Sequence, residues 1–416
     1  MTSQPAADGA GIQKLFAMPS SPAKPKILCL TYHNFDGPEF GAALRARHVC
    51  ELLARLGDVR VVLAGDQYDA PTKAKKTVGG FELLDVVEFQ PTPPWSLVER
   101  FRNEFDGRFL NTDHRQARAE DRQRLQTLMA AHDLVWVHSL KLANRFGLWH
   151  WPKSVLDMDD ITSSIYRTSL QQAAHPLERF RHWRQALLWR RREKFLAGRF
   201  EAMCVCSEQD REQFGVVKNL FVVPNGFARP ASVPVRHLPT PPRLGFVGTF
   251  NYEPNREGMR WFIEAVWPRV LEKIPDARLR LVGAGSDREN WRGARNLDAL
   301  GFVADAAEEM ATWSASIVPL FVGGGTRIKI AESFSRQCPV VSTSLGAYGY
   351  EVRDGDELWL ADTPADFAEK CLRALTHPAE GRLLAGRAWE KFLRQWTWDA
   401  QAGHVAAAVN FVLKKS

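Results

Sequence analysis

Three consecutive glycines, Gly323, Gly324 and Gly325, carry the clearest chemical signal in this chain of 416 residues. The apolar run before them, residues 317–321, predicts a buried strand, and helical spacing begins after them at Thr326. Glycine tolerates positive φ and lets another molecule approach the backbone closely. The unpaired N–H groups and the positive end of the helix dipole then point at whatever lies above the turn. The pattern therefore predicts a cradle for a diphosphate.

Three charged residues follow within the first turn and a half of the predicted helix. Arg327 and Lys329 supply cations that supplement the backbone amides, and the carboxylate of Glu332 suits paired hydroxyls such as those of a ribose. Neither Gly-x-x-x-x-Gly-Lys-Ser/Thr nor Gly-x-Gly-x-x-Gly occurs at this place, which argues against an ordinary ATPase loop or dinucleotide fingerprint. The alternative is a glycine turn that only joins a strand to a helix.

A histidine and several carboxylates follow predicted strands in the N-terminal half. One strand is predicted to end in His138, and the next in Asp157, Asp159 and Asp160. In open parallel sheets, ligands gather at the carboxyl ends of the strands. Carboxylates at this edge can hold Mg²⁺ together with substrate phosphates, and a purely structural role for these residues is the alternative.

Alternating strands and helices are predicted to position these groups. Residues 26–32 form a near-continuous apolar run of the kind buried in parallel sheets, and a helix is predicted to follow at residues 42–56. From residue 243 onward, apolar strands alternate with predicted helices. This order is typical of doubly wound parallel sheets, so the predicted fold class is α/β.

Composition limits the partners and the compartment. The formal charge of +7 favours anionic partners such as nucleotide-sugars, anionic lipids or nucleic acid, and no apolar run is long enough to predict a membrane span. Nucleic acid is the weaker alternative because no recognised nucleic-acid module accompanies the charge. The six cysteines have no metal or disulfide spacing and indicate a reducing cytoplasm. Residues 1–24, rich in Ala, Ser and Pro, predict a disordered tail.

Two segments combine arginines with large apolar side chains. Residues 91–110 approach helical spacing and predict a helix that covers a sheet edge; the alternative is an amphipathic element that lies on a membrane and delivers a lipid-linked acceptor. Residues 179–194 form the strongest basic run and carry Trp183 and Trp189. The favoured interpretation of this second segment is a long surface helix with solvated arginines and inward-packed tryptophans.

The segment PLFVGGGTRIKIAESFSRQCPVVST, residues 319–343, resembles the donor-binding segment of the retaining GT-B glycosyltransferases of family 4, in the subset that carries Gly-Gly-Gly-Thr-Arg-x-Lys. The resemblance implies a signature of two glutamates separated by seven residues. The second glutamate holds the donor ribose, and the intervening amides hold the diphosphate. Glu332 matches the second glutamate, whereas Gly324 stands at the position of the first.

The resemblance also implies roles for residues of the N-terminal half. Asp159 stands where many relatives place a histidine near the transferring sugar, and Asp160 follows it; with His138 they are the catalytic candidates. Gly41, at the mouth of the first helix, is expected to let the donor diphosphate approach. Arg45 is expected to face the cleft, and the alternative is a plain helix start with Arg45 in solvent.

In the C-terminal half, relatives often carry phosphate-binding cations after the turn at Gly248, and this chain has Thr249 at the first of those positions. Arg327 and Lys329 are therefore expected to neutralise the phosphates, and the backbone at residues 302–303 is expected to border the nucleobase. The expected donor-binding residues are Gly41, Arg45, Gly248, Thr249, Gly283, Phe302, Val303, Gly323, Gly324, Gly325, Thr326, Arg327, Lys329 and Glu332.

By the resemblance, the fold is GT-B, in which two doubly wound, Rossmann-like domains face each other across a cleft. The expected division is a tail at residues 1–24, an acceptor-side domain at 25–228, a hinge at 229–242 and a donor-binding domain at 243–395. The last segment, residues 396–416, is expected to be a helix that crosses back to the first domain.

The implied function is transfer of a sugar, with retention and without a metal, from a nucleotide-diphosphate-sugar to a hydroxyl of a glycan or lipid-linked acceptor. Such a hexosyltransferase would serve cell-surface polysaccharide or glycolipid synthesis. No cofactor and no nucleic-acid partner are expected. The expected location is the cytoplasm, with peripheral contact at the inner face of the membrane left open. The alternatives are a GT-B isomerase of nucleotide-sugars and a nonenzymatic nucleotide-sugar-binding protein, which the missing first glutamate favours.

Overall fold

Two parallel sheets, one in each half of the chain, organise the protein. The computed structural model describes residues 24–37, 41–291 and 293–415. The predicted tail, residues 1–24, lies outside these ranges apart from Lys24. Parallel strand pairing in both halves confirms the expected α/β class.

Eight strands form the first sheet, and two more form a small antiparallel ribbon. In chain order the strands of this half are β1 (Lys26–Thr31), β2 (Asp58–Gly65), β3 (Thr77–Val78), β4 (Phe81–Glu88), β5 (Gln90–Pro91), β6 (Arg115–Gln116), β7 (Leu134–His138), β8 (Trp151–Asp157), β9 (Phe200–Val205) and β10 (Leu220–Val222). The sheet order is β10-β9-β8-β7-β1-β2-β4-β3, and all neighbours are parallel except β3 and β4. The ribbon pairs β5 with β6.

Six parallel strands form the second sheet in the order β13-β12-β11-β14-β15-β16. They are β11 (Arg243–Val247), β12 (Arg278–Val282), β13 (Leu297–Ala299), β14 (Ala315–Val318), β15 (Val340–Ser342) and β16 (Trp359–Leu360).

The strand order reverses once in each sheet. The chain runs from β1 outward to β4 and then returns to β7 on the other side of β1, and in the second sheet it runs from β11 to β13 and then returns to β14. Ligands of open α/β sheets bind at the carboxyl ends of the strands beside such a switch point. The first switch point carries Tyr32 and His138, and the second carries Gly248 and the glycine turn.

Helices cover both faces of the sheets. Those of the first half are α1 (Gly41–Ala54), α2 (Ala70–Ala74), α3 (Leu97–Phe105), α4 (Ala119–Ala130), α5 (Leu140–Arg145), α6 (Thr162–Gln172), α7 (Pro176–Glu193) and α8 (Glu208–Phe214). Those of the second half are α9 (Glu253–Trp261), α10 (Trp267–Lys273), α11 (Ala307–Met310), α12 (Ile328–Ser335), α13 (Pro364–Thr376), α14 (Pro378–Gln395) and α15 (Ala402–Leu413). A π-helical turn, Phe262–Val266, joins α9 to α10, and short 3-10 turns occur at Leu196–Gly198 and Asp399–Gln401.

The chain crosses between the two sheets twice. After β10 it passes through residues 223–242 to β11, and after α14 it returns to place α15 against the first sheet. Val405, Val409 and Val412 of α15 are buried in the same core cluster as β1 residues. Beside the return, the backbone N–H of Phe227 donates to the carbonyl of Trp396 at 2.8 Å. The two crossings therefore run side by side and connect the domains as a pair.

The two arginine-rich segments form helices, but their packing differs from the favoured interpretations. None of the α3 residues is buried, so this helix does not cover a sheet edge. On α7, Trp183 is 49% exposed rather than packed inward, whereas Trp189 is half-buried and lies under the guanidinium of Arg192. Among the described residues, no helix has the length and hydrophobicity needed to cross a bilayer.

Candidate active site between the domains

The glycine turn of the second domain contacts the aspartates of the first. Gly323 and Gly325 adopt φ values of +125° and +60°, and α12 begins three residues after the turn. A Cβ on Gly324 would lie 2.9 Å from Oδ1 of Asp160, and one on Gly325 would lie 2.6 Å from the same atom. Side chains at these positions would hold the domains apart, so the glycines allow the carboxylate to approach the turn.

Two helix N-termini converge at this boundary. Gly41 opens α1, and a Cβ on it would lie 3.3 Å from Cδ1 of Ile328, which opens α12. Unpaired N–H groups and the positive dipole ends of both helices therefore face the same region, which favours a bound anion. The backbone N–H of Gly323 lies beside this region and donates to Oγ1 of Thr168 on α6 at 3.3 Å. The structure thus brings Gly41 and the start of α12 together.

Arg327 stabilises the glycine turn and has hydrogen-bond donors that remain unpaired. Its Nη1 donates to the carbonyls of Gly324 and Gly325, the latter at 3.2 Å. Its Nε and Nη2 atoms are buried and have no hydrogen-bond partner within the described ranges. A buried guanidinium with unpaired donors is costly unless an acceptor arrives. The arrangement suits an anionic ligand at the turn.

Lys329 supplies a second cation. Its Nζ donates to Oδ1 of Asn255 at 2.6 Å and lies 4.3 Å from the ring centre of Phe246. Burial and the nearby Arg327 charge lower the pKa of Lys329 to about 7, and Glu332 opposes that shift. A bound anion would favour the protonated lysine and raise this pKa again.

Glu332 lies one helical turn after the start of α12 and is half-buried. Burial raises the pKa of its carboxyl group, while Arg336 and Lys329 lower it. The carboxylate forms no hydrogen bond or ion pair with another side chain in the part of the chain that the structure describes. It can therefore accept hydrogen bonds from ligand hydroxyls.

The ends of β11 and β12 form the adjoining wall. A Cβ on Gly283 would lie 2.0 Å from the carbonyl oxygen of Gly248, so these two backbones touch. Nδ2 of Asn255 donates to the carbonyl of Thr249 at 2.7 Å, which links this wall to Lys329 through one side chain. Asn255 was missed at the sequence level, although it follows the Thr249 turn by only six residues.

Residues 301–303 lie beside Gly283, whose N–H donates to the carbonyl of Gly301 at 2.8 Å. Phe302 is 77% exposed, and Val303 is half-buried against the cluster that contains Val282. The two residues thus lie at the edge of the same wall, where an aromatic ring is available to a planar ligand group.

Asp159 and Asp160 form the opposing wall after β8. Nδ2 of Asn225, in the link between the domains, donates to Oδ1 of Asp159 at 3.4 Å. Asp160 is an exposed residue, yet its Oδ1 lies against the backbone of the glycine turn, where neighbouring protein atoms partly desolvate the carboxyl group. This desolvation and the Asp159 charge raise the pKa of Asp160 to about 7, and Arg327 opposes the shift. A carboxyl group with a pKa near neutrality can bind or exchange protons at physiological pH.

Arg45 does not face the cleft, contrary to expectation. It is fully buried, and its Nη2 donates to Oδ1 of Asp157 at 2.5 Å while its Nε donates to Oδ2 of the same carboxylate at 3.2 Å. Its Nη1 also donates to the carbonyl of Val223 and to Oδ1 of Asn225, at 2.9 Å and 2.8 Å. Burial disfavours the Asp157 charge, yet Arg45 and His138 hold the pKa of that carboxyl well below its usual range. Arg45 thus ties α1 to the interdomain link and, through Asn225, to Asp159.

His138 lies beneath the cleft surface rather than on it. It is 1% exposed, its Nδ1 lies 3.4 Å from Oδ2 of Asp157, and its ring meets His33 edge-on at 5.5 Å. Tyr32, at the end of β1, lies 6.3 Å from His138 between ring centres and is 39% exposed. Tyr32 and His33 were missed, although their position at the carboxyl end of the first apolar run could have indicated them.

A further contact closes the domain boundary beside the turn. Tyr348 donates from its hydroxyl to Oδ1 of Asp210 at 2.9 Å and accepts from Nε2 of Gln213 at the same distance. A Cβ on Gly349 would lie 2.2 Å from Cγ2 of Thr326, whose hydroxyl is buried without a hydrogen-bond partner in the described residues. Thr326 therefore lies between the turn and this contact.

The described residues contain no group of three or more His, Cys, Asp or Glu side chains arranged to hold a metal ion. The six cysteines are buried thiols.

Part of the chain matches a family of known proteins. Residues 241–377 match the family model described as glycosyl transferases group 1, a range that contains the glycine turn, Lys329 and Glu332. A phosphatidyl-myo-inositol mannosyltransferase from Mycobacterium tuberculosis is 29% identical over 197 residues, which is 44% of this chain and 52% of the mannosyltransferase. The chain thus aligns with about half the length of the curated relatives it matches.

Solved structures extend the likeness to the whole architecture. A sucrose-phosphate synthase from Thermosynechococcus elongatus superposes with a TM-score of 0.67 at 16% identity, over 94% of this chain and 100% of the synthase. HepE from Anabaena, solved with UDP and glucose, superposes with a TM-score of 0.61 at 15% identity, over 93% of this chain and 99% of HepE. These neighbours share the GT-B arrangement, and this chain has that fold.

Proposed function

We propose that this chain is a glycosyltransferase that moves a sugar from a nucleotide-diphosphate-sugar to a hydroxyl acceptor. One observation carries the proposal: the turn Gly323–Gly325, with its helix N-terminus and cations, faces the carboxylate of Asp160 and the backbone of Asp159 across the domain boundary. An anion cradle on one wall and hydroxyl-binding groups on the other are what transfer from a diphosphate leaving group requires.

The diphosphate lies, in this proposal, against the amides of the glycine turn and the N-termini of α1 and α12. The unpaired Nε and Nη2 donors of Arg327 and the ammonium of Lys329 supply the countercharge, so the reaction needs no metal. HepE, with the same fold, was solved with UDP and glucose, which supports a nucleoside diphosphate in this cleft. Glu332 accepts hydrogen bonds from the ribose, and the edge at Phe302 and Val303 borders the base.

Negative charge grows on the diphosphate as the bond to the sugar breaks. Preorganised amides and cations stabilise that charge without having to reorient, and this electrostatic term is usually the largest in catalysis. The groups that do so here are fixed before the ligand arrives, because Arg327 is held by two carbonyls and Lys329 by Asn255.

Asp160 takes the place of the missing first glutamate. The resemblance puts that glutamate at residue 324, where a Cβ would already lie 2.9 Å from Oδ1 of Asp160. A carboxylate from the opposite domain thus occupies the space that a longer side chain at residue 324 would enter. Asp160 binds sugar hydroxyls there, and Asp159 positions the acceptor hydroxyl. His138 supports Asp159 from beneath, through Asp157, Arg45 and Asn225.

The acceptor approaches from the first domain. A cavity of about 380 Å³ lies at the carboxyl ends of β1 and β2, within the size range of small-molecule sites. It is lined by Tyr32, Gly65, Asp66, Gln67, Tyr68, Lys141, Leu142 and Arg145. Aromatic rings interleaved with polar groups suit a glycan, and the name of the mannosyltransferase relative supports a lipid-linked acceptor.

Retention at the anomeric carbon is proposed from the resemblance of residues 319–343 to the retaining enzymes. The anomeric configuration of the product, read from the proton coupling constant by NMR, tests it directly.

Release of nucleoside diphosphate tests the function as a whole. The purified protein is incubated with a panel of nucleotide-sugars, with and without glycan and glycolipid acceptors, and the free diphosphate is quantified. Release that depends on an acceptor supports the transferase. Conversion of the nucleotide-sugar without an acceptor supports an isomerase, and binding without conversion supports a nonenzymatic protein, which the glycine at residue 324 would then explain.

A further inference from the structure

More than half of the exposed large apolar side chains in the described residues lie on or beside two helices, α3 and α7. We call this region the α3–α7 surface. Its apolar members are Leu97, Val98, Phe101, Phe105, Leu177, Phe180, Trp183, Leu187 and Phe195. Such a concentration of exposed apolar groups marks an interaction site rather than ordinary surface.

On α3, the apolar side chains follow helical spacing but remain exposed to solvent. Leu97, Phe101 and Phe105 lie at intervals of four residues and therefore along one side of the helix, with exposures of 82%, 65% and 59%. The N-terminus of α3 is stabilised by a reciprocal capping box between Ser96 and Glu99. A defined amphipathic helix thus presents its apolar side to solvent.

Polar contacts hold α7 beside α3. Nε of Arg184 donates to Oε1 of Glu104 at 2.8 Å. Phe180 and Leu187 lie about one turn before and one turn after Arg184, and Phe101 lies about one turn before Glu104. The apolar side chains of the two helices therefore border the same contact and belong to one surface.

The charge of this surface limits what can cover it. Residues 175–195 contain seven arginines and lysines but only two glutamates. Arg179, Arg181, Arg190, Arg191 and Lys194 are all exposed. A second copy of the chain, docked by the same face, would bring two strongly cationic helices together and would be repelled. An anionic lipid surface attracts the arginines and accepts the apolar side chains at the same time.

We propose that the α3–α7 surface docks on bilayers that contain anionic phospholipids. The phenylalanines and Trp183 enter the headgroup and acyl boundary, where aromatic side chains are favoured, and the arginines lie among the phosphates. The helix α6 packs along α7, and its Thr168 contacts Gly323 at the cleft. Docking therefore places the cleft close to a lipid surface. This surface does not depend on the proposed sugar transfer.

Vesicle flotation with the full chain tests the proposal. The probes are vesicles of phosphatidylcholine alone and of phosphatidylcholine mixed with phosphatidylglycerol. One variant, Leu97→Ser/Phe101→Ser, removes apolar groups, and a second, Arg179→Glu/Arg181→Glu, reverses charge. The matched control, Arg382→Glu/Leu383→Ser, changes an exposed cation and a 65% exposed leucine on α14. Thermal unfolding and nucleoside diphosphate binding, measured alongside, show that each variant is folded.

We expect the wild type and the control to bind the mixed vesicles and both surface variants to bind about tenfold more weakly or worse. The first variant loses side chains that enter the membrane, and the second replaces attraction to anionic lipids with repulsion. Absence of vesicle binding, or equal binding by all variants, would overturn the proposal, as would equal binding to neutral vesicles. A dimer in sedimentation velocity that Leu97→Ser/Phe101→Ser converts to a monomer would assign the surface to a second copy instead.

Discussion

Oδ1 of Asp160 lies 2.9 Å from the position that a Cβ on Gly324 would occupy, and the two residues belong to different domains. The glycine is therefore what lets a carboxylate of the first domain reach the glycine turn of the second. Burial and the Asp159 charge raise the pKa of Asp160, and Arg327, which donates to the carbonyl of Gly324, opposes that shift. The glycine turn thus contacts Asp160 and is also the place where the anion is proposed to bind.

Replacing Asp160 should impair transfer more than donor binding. Asp160→Asn keeps the shape but loses the charge that holds sugar hydroxyls, so we expect the turnover rate to fall about 10- to 100-fold, the scale of losing a hydrogen bond to a charged group. Donor affinity should hold or improve because a negative charge beside the diphosphate is gone. Steady-state kinetics and calorimetry measure the two effects, with Asp276→Asn on the exposed loop after α10 as control.

The same substitution should change two pH profiles. Because the pKa of Asp160 is near 7 instead of 3.8, the carboxylate is lost as pH falls through about 7, and wild-type turnover should fall with it. The folded state also binds this proton more readily than the unfolded state, so the free energy of unfolding should decline as pH rises from about 4 to 7. Asp160→Asn should remove this contribution; unaltered profiles would exclude Asp160 as the titrating group.

Glu332 should contribute to donor affinity through the ribose. Glu332→Ala is expected to weaken nucleoside diphosphate binding by roughly 1–3 kcal/mol, since a charged hydrogen-bond acceptor is removed from a half-buried site. Calorimetry with the ribose and 2′-deoxyribose forms of the same nucleotide shows whether the loss is specific to the sugar. Glu369→Ala, on the exposed side of α13, is the control. Unchanged affinity would remove Glu332 from the site.

Diphosphate binding should be coupled to protonation of Lys329. Burial and the Arg327 charge lower the pKa of Lys329 to about 7, and a bound diphosphate favours the ammonium, so the protein should take up a proton on binding at pH 8. The apparent binding enthalpy will then vary with the ionisation enthalpy of the buffer. Lys329→Arg keeps a cation that does not titrate and should abolish this variation. The same variation in Lys329→Arg would assign the proton to another group.

Arg45 should matter for stability rather than for direct donor contact. Arg45→Met leaves Asp157 buried without its partner and is expected to lower the free energy of unfolding of the first domain by about 3–5 kcal/mol. Arg55→Met breaks an exposed pair with Asp399 and should cost about 1 kcal/mol or less. Denaturant unfolding compares the two. An equal effect of both substitutions would contradict the buried role of Arg45.

The strands and turns were predictable from sequence because their causes are local. Strands buried on both faces of a parallel sheet read as continuous apolar runs, so residues 26–32 predicted β1 at Lys26–Thr31 nearly to the residue. The N-terminal cap of α8 likewise depends on residues close in the sequence, since Ser207 accepts from the N–H of Asp210 three residues later.

The contacts of a side chain could not be predicted from the sequence where its partners lie far away in the chain. Arg45 lies on the expected helix, but its partner Asp157 is 112 residues away, and nothing in the α1 spacing tells which side of the helix meets it. Tyr348 and Asp210, 138 residues apart, meet only because the domains close on each other. Amphipathic spacing predicted α3 as a helix, yet spacing cannot show whether its apolar side is covered.

Calorimetric comparison of nucleoside diphosphate with the matching nucleoside monophosphate, over a panel of bases, shows whether the cleft binds the second phosphate. If the turn Gly323–Gly325, Arg327 and Lys329 hold the second phosphate, the diphosphate of the preferred base should bind at least about tenfold more tightly, the effect of a single charge-assisted contact of about 1.4 kcal/mol or more. Equal affinity for the two nucleotides, or no binding of either, would contradict the account.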